Sequence, residues 1–184
     1  MHGTFELCLS PRFEARRILT QHTRIMDSKK QPLWLAFENA DELGKPIFVI
    51  FKCGDDLRQD LMTLQMLKLM DRFWQNENLD LRLKPYLCQA TSHTGGMIEV
   101  IENAKTTAQI HLDYGGSCFG PLMDTPIDSF LREKSQGNNR VYEHTVDNFV
   151  RSCAGYCVAT YIMGIGDRHS DNIMVSNTGQ LFRK

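Results

Sequence analysis

The chain has 184 residues, a formal net charge of −1, 42% hydrophobic and 23% charged residues. Those proportions are ordinary for a soluble globular protein of one or two domains. The near-zero balance excludes a global field that would drive the chain onto nucleic acid or an anionic membrane, although local basic patches remain open. No apolar run reaches the length of a membrane span, and residues 1–20 lack the apolar core of a signal peptide. Six cysteines, Cys8, Cys53, Cys88, Cys118, Cys153 and Cys157, form no C-x-x-C pair. Cys153 and Cys157 stand one helical turn apart and read as core thiols rather than a metal site, so a reducing, cytosolic compartment is expected.

Taken in order, residues 1–22 are weakly periodic, with a short helix expected over Phe13–Thr20 after Pro11. Residues 23–54 read as strands. Thr23–Met26 alternates, Asp27–Gln31 is a polar turn, Pro32–Phe37 is a second strand, and Pro46–Lys52 is an apolar, buried third. Lys52 ends that strand, where an unpaired buried ammonium is costly.

Gly54-Asp55-Asp56-Leu57-Arg58-Gln59-Asp60 opens a long helix to about residue 75. Acids in the first turn suit the helix dipole. Leu57, Leu61, Leu64, Met62, Met66, Leu69 and Phe73 recur at helical spacing and predict a broad buried face. Capping is the expected role of Asp55 and Asp56. Strands follow at Leu83–Ala90 and Met97–Ile101, around a turn over Thr91–Gly96.

Beyond Asn103 the pattern turns helical. Thr106–His111 and Pro126–Lys134 are helices, the second with proline near its start, and Asp113–Leu122 is a Gly-rich loop. Tyr142–Met163 is the main helix, with Val146, Phe149, Val150, Cys153, Cys157 and Tyr161 marking one face. Ile173–Val175 and Gln180–Phe182 form a hairpin about Asn177-Thr178-Gly179.

Between the main helix and the hairpin lies Gly164-Ile165-Gly166-Asp167-Arg168-His169-Ser170-Asp171-Asn172. Protein-kinase catalytic loops read H-R-D-x-x-x-x-N, with Asp as base and Asn on a metal ion. Asp167 and Asn172 keep that separation, while the histidine has moved to the other side of the arginine. Phosphoryl transfer asks mainly for positioning and charge neutralisation. An acid or imidazole deprotonates the attacking hydroxyl, an amide oxygen suits Mg²⁺, and Arg168 holds the loop or an anionic group. The residues alone do not choose between Asp167 and His169 as proton acceptor.

The run SCAGYCVATYIMGIGDRHSDNIM over Ser152–Met174, with G-D-D-L-R-Q-D at 54–60, resembles class I phosphoinositide 3-kinases. A class II phosphoinositide 3-kinase is the alternative within the family. The resemblance implies an α+β, two-lobed protein-kinase-like fold: an antiparallel-sheet N-lobe over 1–102 and a helical C-lobe over 103–184, incomplete. It implies His169 near the lipid hydroxyl with Asp167 orienting, and Asn172 on Mg²⁺. It makes Ser28-Lys29-Lys30 the phosphate-binding turn and Lys52 the phosphate-contacting lysine. Trp34 would line the adenine pocket, against an ordinary core role. Asp60, preferred to Asp55 as the acid facing Lys52, would line the pocket too. Tyr86 would sit at the back, the backbone of Glu99-Val100-Ile101 would bind the adenine edge, and Met174 would form the floor.

ATP and Mg²⁺ are the implied cofactors. A phosphoinositide at the membrane surface is the implied substrate, and a regulatory subunit the implied partner of the full-length protein. Nucleic acid is not expected. The expected location is cytoplasmic, with peripheral recruitment to the plasma membrane. After Leu181-Phe182 the family continues into Asp-Phe-Gly, whereas this chain reads Arg183-Lys184. Without that metal-binding acid the isolated 184 residues are expected to lack lipid kinase activity. A non-catalytic nucleotide- or partner-binding module is the alternative reading, and Phe149 and Tyr161 are expected to lack packing partners.

Overall fold

The computed structural model describes residues 3–115, 125–166 and 169–183. Its chain divides into two compact units. The first comprises Met1–Met66 with Tyr86–Val100, the second Leu67–Pro85 with Ile101–Lys184. The sequence reading draws one cut, at 102/103. The structure instead groups residues 67–85 with the second unit, because they pack on its long helix. Leu81 and Leu83 lie so close to Gly155 that an added Cβ there would fall 2.8 Å from Leu83 Cδ2. Arg151 also donates to the Asp80 carbonyl at 3.2 Å.

In the first unit an antiparallel sheet runs in the order β1 (Phe5–Leu7), β2 (Ser10–Ile18), β4 (Leu33–Asn39), β5 (Ile47–Cys53), β7 (Gly95–Glu99), β6 (Cys88–Ser92). The short β3 (Arg24–Ile25) pairs with β4. The helix expected after Pro11 is therefore a strand. As a strand, residues 10–18 pair with β1 and β4. That places Ala15, with no exposed surface, in a cluster with Leu7, Leu9, Phe37, Ile47 and Val49. A lone helix with one apolar edge offers less burial than this two-sided pairing.

Strand β6 starts at Cys88, not at Leu83. Pro85 has no N–H to give a ladder, and Leu81 and Leu83 are committed to the second unit. Strand β7 begins two residues before the expected Met97, because Ser92 and Gly95 already pair across the turn.

Helix α1 (Arg58–Asn76) buries less than its pattern suggests. Leu57, just before it, and Leu64 and Leu67 within it are buried, whereas Met62, Met66, Leu69 and Phe73 are exposed. Its apolar residues occupy two faces, and only one meets a neighbour among the described residues. Leu57 packs on the sheet at Gly96, where an added Cβ would lie 2.9 Å from Leu57 Cδ1.

The second unit holds α2 (Thr107–Tyr114), α3 (Pro126–Lys134) and α4 (Asn139–Ile162), with an antiparallel sheet β10 (Leu181–Arg183), β9 (Ile173–Ser176), β8 (Ala104–Thr106). Strand β8 has only three residues and no periodic signature, so sequence reading passes over it. Ile110, Phe130, Leu131 and Val175 form the core, with Phe149 and Tyr142 packed against it. Helix α2 starts on a capping box: Thr106 Oγ1 accepts from Gln109 N at 3.1 Å, and Gln109 Oε1 accepts from Thr106 N at 3.1 Å. Asn138 caps α4 through Arg140 N at 3.0 Å.

The most deeply buried face of α4 is not the apolar one, of which Val146 and Phe149 pack against the core in part. Thr145, Asn148, Ser152, Gly155, Tyr156, Ala159 and Thr160 are buried, while Val150, Cys157 and Tyr161 are exposed. Small and hydroxyl residues win because the hairpin backbone approaches closely on that side. Asn148 Nδ2 donates to the Thr178 carbonyl at 2.9 Å, and Ser152 Oγ accepts from Leu181 N at 2.8 Å. Phe149 finds partners in the core; Tyr161 is 84% exposed. Cys8, Cys53, Cys88, Cys153 and Cys157 are free thiols, and Cys118 lies outside the described residues.

Candidate functional site

The first unit carries a basic cavity built by two turns. Between β3 and β4 the chain reverses through Met26 N to Pro32 O at 2.9 Å, with Ser28 N bonded to Met26 O and Gln31 N to Ser28 O, each at 3.0 Å. After β5, Gly54 holds φ +81°, a conformation glycine enters without steric cost. That turn brings Asp55 back beside Lys52. The cavity, about 240 Å³, is lined by Ser28, Lys29, Lys30, Pro32, Lys52, Cys53 and Asp55. Three lysines stand against one carboxylate in it.

The carboxylate is shared. Asp55 Oδ1 lies 2.5 Å from Lys30 Nζ, and Asp55 Oδ2 lies 3.9 Å from Lys52 Nζ. Lys30 also donates to the Gly54 carbonyl at 2.8 Å. Capping, the role expected of both acids, falls to Asp56 alone. Asp56 Oδ1 accepts from Arg58 N at 3.1 Å, and its carboxylate grips the Arg58 guanidinium. Those Arg58 hydrogen bonds hold the Asp56 carboxyl down at about 2. Sequence reading placed Lys30 in the phosphate-binding turn but missed its pairing with Asp55. The signal that Asp55 turns toward the lysines was the spacing Lys52-Cys53-Gly54-Asp55, an i,i+3 pair folded across a glycine.

Asp60 lies in the first turn of α1. Its charge and that of Lys52 both reach Cys88 on β6. Burial, and then Asp60, push the Cys88 thiol up to about 11. Tyr86 is buried. Trp34 is half-buried, with its ring 5.7 Å from that of Phe48 and Arg24 4.9 Å above it. Glu99 ends β7; its N–H donates to Leu87 O and its carboxylate accepts from Leu87 N, both at 2.8 Å. The expected adenine-binding segment Glu99–Ile101 spans the division between the units, Val100 ending the first and Ile101 opening the second part of the other.

The second unit carries the loop between α4 and β9. Asp167 and Arg168 lie outside the described residues. His169 Nε2 is 2.9 Å from Asn172 Nδ2, and Asn172 N donates to His169 O at 3.0 Å. The other ring nitrogen, Nδ1, lies 3.7 Å from Asp171 Oδ2. The loop is tied to the start of α2 at Ser170, whose carbonyl accepts from Thr107 Oγ1 at 2.8 Å and Ala108 N at 3.1 Å. Met174 lies in β9, paired with Phe182 and Thr106.

The lysine excess fits a polyphosphate such as that of ATP. The Asn172 amide oxygen is a donor type that Mg²⁺ accepts. Among the described residues no group of three His, Cys, Asp or Glu side chains is arranged to hold a metal.

An antiparallel sheet flanked by α1, followed by a helical unit whose longest helix runs into a D-R-H-x-x-N loop, is the α+β architecture of a kinase-like catalytic domain. Residues 46–183 match the family model described as phosphatidylinositol 3- and 4-kinase, and the chain belongs to that family. It is 53% identical over 180 residues to phosphatidylinositol 3-kinase 2 of Dictyostelium discoideum, covering 97% of this chain and 10% of that protein. It is 50% identical over 178 residues to phosphatidylinositol 3-kinase 1 of the same organism, covering 97% and 11%. It is 44% identical over 182 residues to the human phosphatidylinositol 4-phosphate 3-kinase C2 domain-containing subunit beta, covering 99% and 11%. The chain therefore spans about a tenth of the length of these relatives.

Proposed function

We propose that this chain is catalytic-domain sequence of a phosphatidylinositol 3-kinase that moves the γ-phosphoryl group of ATP to the inositol 3-hydroxyl of a membrane phosphoinositide. The observation that carries the nucleotide half is the cavity lined by Lys29, Lys30, Lys52 and Ser28. The lipid half is supported by the names of the relatives. In this reading Ser28, Lys29 and Lys52 hold the phosphates. By the family resemblance, Trp34, Asp60 and Tyr86 in the first unit serve the base, Met174 is a base contact, and the backbone of Glu99, Val100 and Ile101 takes the adenine edge.

Asn172 holds Mg²⁺, which supplies charge neutralisation on the phosphates when bound. The imidazole of His169 accepts the proton of the 3-hydroxyl as that oxygen attacks, Asp167 orients the hydroxyl, and Arg168 steadies the loop or an anionic group. The class I assignment, a regulatory subunit, and a cytoplasmic protein recruited to the plasma membrane belong to the same proposal. A second reading, a nucleotide- or partner-binding module without turnover, is favoured by the exposed Met62, Met66, Leu69 and Phe73 of α1.

A radiolabelled-ATP assay on phosphoinositide vesicles separates the two. Label on the 3-position, lost in Lys52→Ala, supports the kinase. Saturable ATP binding without labelled lipid supports the binding module.

A further inference from the structure

We propose that Asp55 is a built-in counter-ion of the phosphate cradle and lowers its affinity for polyphosphate, so that the cradle selects highly charged ligands. The proposal rests on the nucleotide-binding reading above. Each oxygen of Asp55 faces one lysine: Lys30 Nζ at 2.5 Å and Lys52 Nζ at 3.9 Å. Both lysines line the cavity that also contains Lys29 and Ser28. Their positive charge is thus partly balanced from within.

Two routes lead from that geometry to the ligand. A phosphate entering the cavity competes with Asp55 for the same ammonium protons, and its own charge is repelled by the carboxylate. Neither effect requires Asp55 to touch the ligand. Lys52 and Asp55 are about one-quarter exposed, at 28% and 27%, and Lys30 is more open at 55%. Solvent therefore screens the pair, and its strength lies in the surface range rather than the buried one. The rigid part of the device is the Gly54 turn, because Lys30 also grips the Gly54 carbonyl at 2.8 Å. When phosphate displaces the carboxylate, Lys30 keeps that backbone bond.

The alternative role is positioning. There the carboxylate holds the lysines where phosphate needs them, and its loss weakens binding. The two roles predict opposite signs. They also differ in salt dependence, since a cradle with one more uncompensated cation shows a steeper fall of affinity with ionic strength.

The experiment measures binding of ATP and inorganic tripolyphosphate to the 184-residue chain, with EDTA present to remove divalent cations. Isothermal titration at several salt concentrations is run on the wild type, Asp55→Asn and Asp55→Glu, each checked by circular dichroism. The expected result is two- to fivefold tighter binding of both ligands to Asp55→Asn at low salt, with a steeper salt dependence. Asp55→Glu, which keeps the charge, retains the wild-type slope. Should Asp55→Asn not fold, Asp55→Ser takes its place. Weaker or unchanged binding by a folded charge-removing variant overturns the proposal while leaving the nucleotide site intact. Absence of ATP binding by wild type and variants alike, in EDTA and again with Mg²⁺ in its place, overturns the nucleotide-binding reading and this proposal with it.

Discussion

Ser152, which has no exposed surface, accepts a hydrogen bond from Leu181 N at 2.8 Å and donates one to Asn148 O at 2.6 Å. One hydroxyl thus joins the long helix α4 to β10 and closes the segment that holds His169 and Asn172 between two fixed ends. Replacing Ser152 by Ala leaves the Leu181 N–H without this acceptor. The expected cost is about 1–2 kcal/mol, read as a lower midpoint in urea unfolding. Ser152→Thr adds a methyl group to a packed site and does not restore stability.

Gly179 makes the same junction from the other side. It holds φ +88°, and an added Cβ would fall 2.0 Å from the Thr145 carbonyl oxygen. A backbone oxygen of α4 has no rotamer by which to retreat. Gly179→Ala is expected to destabilise by about 3 kcal/mol or more. Gly166→Ala, which meets nothing within 4 Å, serves as the stability control and is expected to match wild type.

Thiol chemistry maps the cradle. Cys53 is exposed and lines the basic cavity, whereas Cys88 is buried with its thiol pushed up to about 11. Timed labelling with N-ethylmaleimide at pH 8, followed by mass spectrometry, should modify Cys53 quickly and Cys88 slowly. ATP or tripolyphosphate should slow Cys53 and leave the exposed Cys157 unaffected. Equal labelling of Cys53 with and without saturating ATP would place the phosphates elsewhere.

Acid exposes the cap of α1. Arg58 holds Asp56 at about 2 against an ordinary 3.8, so the folded state prefers the ionised carboxylate. That contribution is complete above the ordinary value and is lost as pH falls through about 2. The stability difference between wild type and Asp56→Asn should therefore be constant from neutral pH down to about 5, be mostly lost at about 2 and disappear below it. A difference that persists undiminished at pH 2 contradicts this assignment.

Proton transfer acts in the transition state, so His169→Ala should lower kcat by about 10²–10⁴-fold with little change in ATP binding. Lys52→Ala should impair ATP use through the phosphates. Unchanged turnover in His169→Ala would reject His169 as base and leave Asp167.

The sequence by itself determined the family and the order of the main elements. Ser152–Met174 and the 54–60 run are contiguous, so their chemistry is legible without a fold. Helices α1, α3 and α4 and strands β4 and β5 are long and periodic enough to announce themselves. The tertiary structure decided what depends on neighbours far away in the chain. Residues 10–18 became a strand because β1 and β4 flank them. The buried face of α4 became Thr145, Asn148, Ser152 and Ala159 because a hairpin backbone demands small residues and hydroxyl acceptors there, overriding hydropathy. Asp55, which reads locally as a cap, became the partner of Lys30 because two turns distant in sequence fold against each other. An ion pair between such turns leaves no periodicity in the chain, since each partner obeys only its own turn.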